Sequence, residues 1–186
     1  MTANRADRSW QDTLVARYPS LFSVTENDRT YTPGWPAVGD GWRELVETAV
    51  GRIADAIAAA PDSLRVTQIK EKFASIRIYW WPGPGFTDAM RDRVEEAVDL
   101  AEARSACTCE QCGAEGRLFK HGGWYLTACD EHAKGEPVAI KPGFENLHIQ
   151  RSLEAWLPIV SCRRYDRDSD TFIDVDPATI DLDEEN

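Results

Sequence analysis

Residues 107–132 read CTCEQCGAEGRLFKHGGWYLTACDEH, and the rest of the chain is best understood outward from this stretch. Cys109 and Cys112 form a C-x2-C pair, and after sixteen intervening residues Cys129 and His132 form a C-x2-H pair. A two-residue spacer allows both side chains of a pair to reach the same metal ion. We therefore predict a metal site with these four ligands, in preference to four unrelated residues.

The predicted ion is Zn2+. Three thiolates and one imidazole suit its tetrahedral coordination, and with every position filled by protein no site remains for water, so we expect a structural ion. Zinc binding at such sites contributes about 10–16 kcal/mol to the free energy of folding, which is comparable to the total stability of a typical domain. Removing zinc should therefore unfold at least residues 105–135. Cys107 offers an alternative C-x4-C pair with Cys112, but the tighter pair, followed by Gly113, favours the usual knuckle turn. Cys162 stands alone and is interpreted as a core or surface thiol.

The order of segments predicts a treble-clef or zinc-ribbon-like module over residues 107–135, which we call the metal module. GRLFK and WYLTA flank His121-Gly122-Gly123, and Gly-Gly between short apolar segments predicts a β-hairpin. Cys129 and His132, at positions i and i+3, fit the first turn of a following helix.

Hydrophobic periodicity upstream of the metal module predicts three helices. Ser9 is the expected N-cap of a short helix that ends near Tyr18, before the long loop of residues 20–41. Asp40 is the expected N-cap of the second helix, and the third runs from Thr87 to about Ala106. Apolar residues recur on one face of the second helix: Val46, Val50, Ile53 and Ile57.

Alternating residues predict two strands, at about 64–70 and 75–81, joined by a tight turn, whereas the spacing of Val66, Ile69 and Phe73 would also suit a helical turn in place of the first strand. The fold class is therefore α+β, with helices packed on a small antiparallel sheet. We divide the chain into an α+β body (residues 1–106), the metal module (107–135), a C-terminal helical segment that packs on the body (136–165) and an acidic tail (166–186). The predicted C-terminal helix covers residues 147–157, and the tail is either disordered or adds an edge strand.

The net charge of −11 disfavours a general nucleic-acid coat and an attraction to anionic lipid. Residues 166–186 carry nine acids and one Arg, so most of the charge lies in the tail. Neither an apolar run long enough to span a bilayer nor a secretion signal is found, so we expect no membrane partner and a cytoplasmic location.

Four other features have a functional and a structural interpretation. His121 at the hairpin tip could act as a general base in a treble-clef nuclease, although a polar turn residue is the simpler interpretation. Lys70, Glu71 and Lys72 are interpreted as a solvated turn, and one of Trp80 and Trp81 is expected to face the core. No role is assigned to His148. The basic patch of Arg163, Arg164 and Arg167 is expected to be neutralised by Asp166, Asp168 and Asp170.

Three stretches resemble a widespread group of small zinc-binding proteins encoded by bacteriophages and prophages, for which no reaction is established. They are VTQIKEKFASIRIYW (66–80), AEARSACTCEQCGAEGRL (101–118) and GGWYLTACDEHA (122–133), and RYPSLF and GDGWRELVE also look like that group's opening. The resemblance covers most of residues 14–133 and implies the same four ligands. The group's Gly-Gly turn is Ala74-Ser75 here, so a turn that needs positive φ would be strained, or the turn differs.

We expect a non-catalytic, zinc-stabilised interaction protein, a phage or prophage accessory factor that binds and inhibits a host protein in the host cytoplasm. The alternative is a treble-clef nucleic-acid-binding or nuclease-like protein that uses His121. The sequence favours a protein partner over nucleic acid and does not indicate an enzyme, an oligomeric state or the identity of the partner.

Overall fold

The computed structural model describes residues 9–154 and 157–180 and confirms an α+β fold. Within these residues the helices are α1 (Trp10–Arg17), α2 (Pro19–Phe22), α3 (Arg43–Ala56) and α4 (Asp88–Ser105), with 3-10 turns at Asp40–Trp42 and Pro177–Thr179. None of the helices found there has the length and apolar character needed to cross a membrane.

The sheet of the body has the order β3-β4-β5, formed by β3 (Pro36–Ala37), β4 (Leu64–Lys72) and β5 (Ser75–Pro82). β4 and β5 form the predicted antiparallel hairpin, with a register shift between Val66 and Gln68, and β3 adds a short parallel edge. One face of the hairpin is buried against α3 and α4, as alternation of the side chains requires.

The core of the body lies between this sheet face and the helices. Its apolar side chains come from the predicted face of α3, from α4 and from the inward positions of the two long strands; the largest that are fully buried include Trp42, Phe22, Ile53, Ile69 and Ile76. Burying a large apolar side chain stabilises the fold by about 1.5–3 kcal/mol, so this layer dominates the stability of the body.

The N-terminal region confirms one predicted cap and corrects another. The Ser9 side chain accepts a hydrogen bond from the backbone N–H of Asp12, as predicted for α1. Asp40 does not cap α3: its Oδ1 accepts from the indole Nε1 of Trp10, and α3 follows directly on the 3-10 turn. Most of the expected long loop is ordered, because it contains α2, the hairpin of β1 (Val24–Glu26) with β2 (Arg29–Tyr31), and β3.

The metal module contains a second small sheet, with the order β7-β6-β8. β6 (Arg117–His121) and β7 (Trp124–Ala128) form the predicted hairpin, with His121 opposite Trp124 and the two glycines in the turn. β8 (Glu136–Pro137) pairs with the other edge of β6. No helix begins at Cys129 in the structure, so of the two predicted module types the arrangement is closer to a zinc ribbon.

The predicted C-terminal helix at 147–157 is wrong. Residues Leu147–Glu154 form strand β9, which pairs antiparallel with β10 (Leu157–Asp166), whereas residues 155–156 lie outside the described part. Apolar residues at 153, 156 and 157 fit a helical spacing over a short window, but such windows do not distinguish the two periods, and pairing with a neighbouring strand decides the outcome.

The acidic tail begins with an added edge strand, which was one of its two predicted states. β11 (Thr171–Val175) pairs with β10, so the C-terminal sheet has the order β11-β10-β9. This sheet contacts α4 through a small cluster of Leu100, Cys107 and Tyr165. Residues 181–186 of the predicted tail lie outside the described residues.

Candidate metal centre

The fold brings together the four predicted ligands, Cys109, Cys112, Cys129 and His132, which we call the Cys–His cluster. Their ligand atoms all lie within 4.8 Å of one another. Nδ1 of His132 is 3.7 Å from Sγ of Cys109 and 3.2 Å from Sγ of Cys129, and the Sγ atoms of Cys112 and Cys129 are 3.7 Å apart. These side chains lie close enough to hold one metal ion.

The spacing of the donor atoms fits a tetrahedral zinc ion. Zn–S bonds of about 2.3 Å and Zn–N bonds of about 2.0–2.1 Å require S···S edges of roughly 3.8 Å and S···N edges of roughly 3.6 Å. The S···S edge and the longer S···N edge agree with these values, and the shorter S···N edge lies within a few tenths of an ångström of its value. A disulfide would require sulfurs about 2.05 Å apart, so the pair Cys112 and Cys129 is not one.

The C-x2-C pair sits on a tight turn of residues 109–113, which we call the knuckle. The N–H of Gly113 donates to the carbonyl of Cys109 at 2.8 Å, and the N–H of Cys109 donates to the carbonyl of Ala114 at 2.8 Å. Gly113 has a φ of +78°, a conformation that glycine adopts without steric cost. The turn aims both thiols of the pair at the same point.

The environment of Cys109 favours its thiolate. Desolvation by burial raises the pKa of Cys109, but hydrogen bonds from the backbone N–H groups of Cys129, Cys112 and Gln111 outweigh it and lower the pKa to about 6. Only a thiolate ligates zinc, so a lowered pKa means that less free energy is spent on removing the proton.

The second pair lies on an isolated turn after β7. The N–H of His132 donates to the carbonyl of Cys129 at 3.1 Å, and the chain then continues into β8. The cluster therefore ties the knuckle, at the end of α4, to the end of the β6–β7 hairpin. Cys109 is buried, Cys129 and His132 are half-buried and Cys112 is exposed, so the cluster lies at the surface with one ligand toward solvent.

The body packs tightly on the back of the knuckle through Gly41. Its N–H donates to the carbonyl of Glu110 at 2.8 Å. A Cβ atom at position 41 would lie 2.4 Å from the carbonyl oxygen of Cys109 and 2.5 Å from the nitrogen of Cys112. Position 41 therefore has to be glycine for the knuckle to seat against the body, which the sequence did not reveal because glycine in a loop normally indicates only a turn.

Side chains from two distant segments also hold the residues immediately before the knuckle. The indole Nε1 of the fully buried Trp42 donates to the carbonyl of Thr108 at 2.8 Å. From the other side, Arg167 of the C-terminal segment donates to the carbonyl of Cys107 at 2.8 Å. The predicted neutralisation of the basic patch by its neighbouring acids is wrong for Arg163, which pairs with Glu96 and Asp99 of α4.

The metal module also holds the β4–β5 turn. Phe73 and Ala74 have φ values of +54° and +67°. Both predicted alternatives hold in part: residues other than glycine adopt positive φ, and the turn lies at residues 73 and 74, one residue before Ala74-Ser75. The hydroxyl of Thr127 in β7 donates to the carbonyl of Ala74 at 2.7 Å, and Glu71 accepts from the N–H of Ala74 at 2.6 Å. These two bonds stabilise a backbone conformation that is unfavourable for its residues.

The remaining cysteines and histidines are not part of the cluster. Cys107 and Cys162 are buried, and burial raises the pKa of the Cys107 thiol. His121 is exposed at the turn of the β6–β7 hairpin. His148, in β9 of the C-terminal sheet, lies beside Asp99 of α4. Among the described residues, the Cys–His cluster is the one group of three or more such side chains that could hold a metal ion.

The two tryptophans of β5 divide as predicted. Trp80 packs against the core and contacts Phe86, whereas Trp81 is exposed.

Comparisons of the chain with protein-family models, with curated proteins and with solved structures find no match. The function has to be argued from the site itself.

Proposed function

We propose that the Cys–His cluster binds one Zn2+ ion and that this ion is structural. The proposal rests on the donor set, since three sulfurs and one imidazole nitrogen complete a tetrahedron and leave no open position for substrate or water. The ion would join the knuckle to the second pair, whose segments also meet through the hydrogen bond from the N–H of Glu110 to the carbonyl of Thr127 and through a small apolar core. That core consists of Cys109, Phe119 and Ala128.

We further propose that the chain is a non-catalytic interaction protein whose target is another protein. One observation carries this proposal: the metal module is hydrogen-bonded to the strained β4–β5 turn through Thr127, so the ion fixes the ends of two hairpins relative to each other. A closed metal site has no open position for a substrate, so the contribution of the ion to function is the shape of the surface that it stabilises.

The biological setting belongs to the same proposal. The resemblance to phage and prophage proteins supports an accessory factor that binds and inhibits a host protein in the host cytoplasm. The net charge of −11 supports a protein target over nucleic acid, because a polyanion would be repelled.

The experiment is an affinity capture with the zinc-loaded chain. The tagged protein is incubated with a lysate of the host bacterium, and we expect one protein to be retained in stoichiometric amount. The variant C112S, which lacks one ligand, should retain none of it. No retained protein, or equal retention by C112S, would overturn the proposal. Plasmid nicking that depends on added Mg2+ and is lost in H121A would instead establish the nuclease-like alternative.

A further inference from the structure

A cleft of about 330 Å³ opens between the β4–β5 turn and the tip of the β6–β7 hairpin. We call it the hairpin cleft. It is lined by Glu71, Lys72, Phe73, Gly123, Trp124 and Tyr125. The two walls are far apart in the sequence, and the Thr127–Ala74 hydrogen bond holds them together. The geometry of the cleft therefore depends on the metal module being folded.

Large apolar side chains stand exposed on both walls. Phe73 is 71% exposed and Trp124 is 80% exposed, and Tyr125 beside them is 40% exposed. Single exposed aromatics are ordinary on protein surfaces, but three around one cleft form an apolar patch of the kind that marks an interaction site. Tryptophan and tyrosine are also the residues that most often dominate binding at protein interfaces.

The conformation of Phe73 adds a second, independent observation. Its φ of +54° is unfavourable for a bulky residue, and its exposed ring gains little burial in return. Glycine or asparagine at this position would form the turn at lower cost. Backbone strain that folding does not reward is concentrated at functional sites, where it positions a side chain for a ligand.

Two lysines lie at the cleft, because Lys72 lines it and Lys120 lies over the ring of Tyr125, which also lines it. The ammonium groups of Lys70, Lys72 and Lys120 lie 5.5, 5.2 and 5.6 Å from the ring centres of Tyr79, Phe73 and Tyr125. Within the described part of the chain, none of these three lysines forms an ion pair, whereas Arg77, Arg104 and Arg163 each do. The carboxylate that lines the cleft, Glu71, is already hydrogen-bonded to the N–H of Ala74.

We propose that the hairpin cleft binds an extended segment of the partner protein in which an aromatic or large aliphatic side chain is flanked by carboxylates. This inference rests on the proposed function. The apolar side chain would enter between Phe73 and Trp124, and the carboxylates would meet the ammonium groups of Lys72 and Lys120. Cations that lie over aromatic rings at an apolar patch complement such a segment in both charge and polarity.

A nucleic acid fits the same surface less well. Binding through the phosphate backbone needs several cations in a row, because each neutralised phosphate contributes only one released counterion. Here Glu71 lines the cleft and Glu136 lies opposite Lys120 in the β6–β8 register, so the local surplus of positive charge is small. One or two carboxylates beside an apolar anchor need no more than the lysines that are present.

The test is a selection of random dodecapeptides displayed on phage against the immobilised, zinc-loaded protein. We expect enrichment of peptides in which Asp or Glu flanks Phe, Trp or Leu. The affinity of a synthetic peptide from that selection is then measured by fluorescence polarisation. W124S and the charge reversal K72E/K120E should each weaken its binding at least tenfold, as expected for residues at the centre of an interface.

Matched controls separate this effect from a loss of folding. Trp81 is 73% exposed but lies outside the cleft, so W81S should bind the peptide as the wild type does. R93E reverses an exposed cation of α4 that does not line the cleft and should also leave binding unchanged. The zinc content of each variant is measured in parallel and should equal that of the wild type.

Several outcomes would overturn the inference. They are the absence of enriched peptides, enrichment of basic peptides, equal binding by W124S, and displacement of the peptide by oligo(dT) at comparable concentration, which would indicate a nucleic-acid site. The lysate capture is repeated with W124S to separate the two proposals. A partner retained equally by W124S and wild type would refute the cleft but leave the proposed function standing, whereas no partner for the wild type would refute the proposed function.

Discussion

The backbone N–H of Gly41 donates a hydrogen bond to the carbonyl oxygen of Glu110 at 2.8 Å. This bond joins the 3-10 turn before α3 to the knuckle that carries Cys109 and Cys112. Because a Cβ atom at position 41 would overlap three backbone atoms of the knuckle, the absence of a side chain is what permits the contact. The body and the metal module are therefore coupled at the point where the first two ligands are held.

Replacing Gly41 by alanine should loosen this contact and weaken metal binding together with stability. The new methyl group has to displace the backbone of the knuckle, and forcing a group into a packed site typically costs about 1–3 kcal/mol. We expect G41A to unfold at lower denaturant concentration and to lose zinc to a chromogenic chelator faster than the wild type.

The control for G41A is G51A. Gly51 lies inside α3, where the nearest atom to a new Cβ is the hydroxyl oxygen of Tyr18 at 3.7 Å. Alanine is favoured over glycine in a helix by about 0.5–1 kcal/mol, so G51A should be slightly more stable than the wild type, with unchanged zinc release. Similar behaviour of the two variants would contradict the proposed role of Gly41.

The second prediction concerns the hydrogen bond from Thr127 to Ala74. T127V removes a buried hydroxyl that donates at 2.7 Å, and loss of a buried hydrogen-bond partner costs about 1–3 kcal/mol. Urea unfolding should show this loss for T127V, whereas T127S, which keeps the hydroxyl, should lose less. If T127S were destabilised as much as T127V, the methyl group and not the hydrogen bond would be responsible.

The third prediction is that relieving the strain at Phe73 stabilises the protein. Asparagine tolerates positive φ better than phenylalanine, and Phe73 loses little burial when it is replaced. We expect F73N to be more stable by about 1 kcal/mol, which for a chain of this size raises the melting temperature by about 2–4 °C. The same variant should bind the selected peptide more weakly, since stability and function compete at strained sites.

Trp81 provides the comparison for F73N. It is equally exposed but does not have positive φ, so W81N should bring no gain in melting temperature. A gain in W81N equal to that in F73N would show that removing any exposed aromatic stabilises the fold. In that case the strained turn would not be the cause.

The fourth prediction uses the five cysteines as reporters of metal removal. In the zinc-loaded protein Cys107 and Cys162 are shielded by burial, at 6% and 3% exposure, and the cluster thiolates are shielded by the ion. A chelator should unfold the metal module and expose Cys107, Cys109, Cys112 and Cys129 to iodoacetamide, because such ions contribute about 10–16 kcal/mol to folding.

Mass spectrometry of the alkylated chain checks this expectation. Cys162 lies in β10 of the C-terminal sheet, outside the metal module, and should remain unmodified after chelation. It therefore serves as an internal control. Modification of Cys162 at the same rate as the other four would show that the whole chain unfolds, and no modification at all would contradict a structural ion.

The elements that the sequence predicted well depend on local patterns. The spacing of Cys109, Cys112, Cys129 and His132 defines a chemical requirement by itself, and the fold brings these side chains together. α3 and α4 carry apolar residues at a regular helical spacing, and buried and less buried residues alternate along most of β5. The N-cap at Ser9 could be predicted because it depends only on the first turn of the helix that follows it.

The features that the sequence did not predict depend on contacts between distant segments. The sequence does not distinguish Gly41 from other loop glycines, because its requirement arises from its distance to Cys109. Likewise, the proximity of Phe73 to Trp124 follows from the way that two hairpins pack. The sequence predicts a helix over residues 147–157 because a short apolar window fits both periods, and only the pairing of β9 with β10 decides between them.

X-ray absorption at the zinc edge of the purified, zinc-loaded chain tests the central claim most directly. We predict one zinc ion per chain, surrounded by three sulfur atoms at about 2.3 Å and one nitrogen atom at about 2.0–2.1 Å. A coordinated water oxygen, or fewer than three sulfur ligands, would contradict a closed structural site formed by Cys109, Cys112, Cys129 and His132.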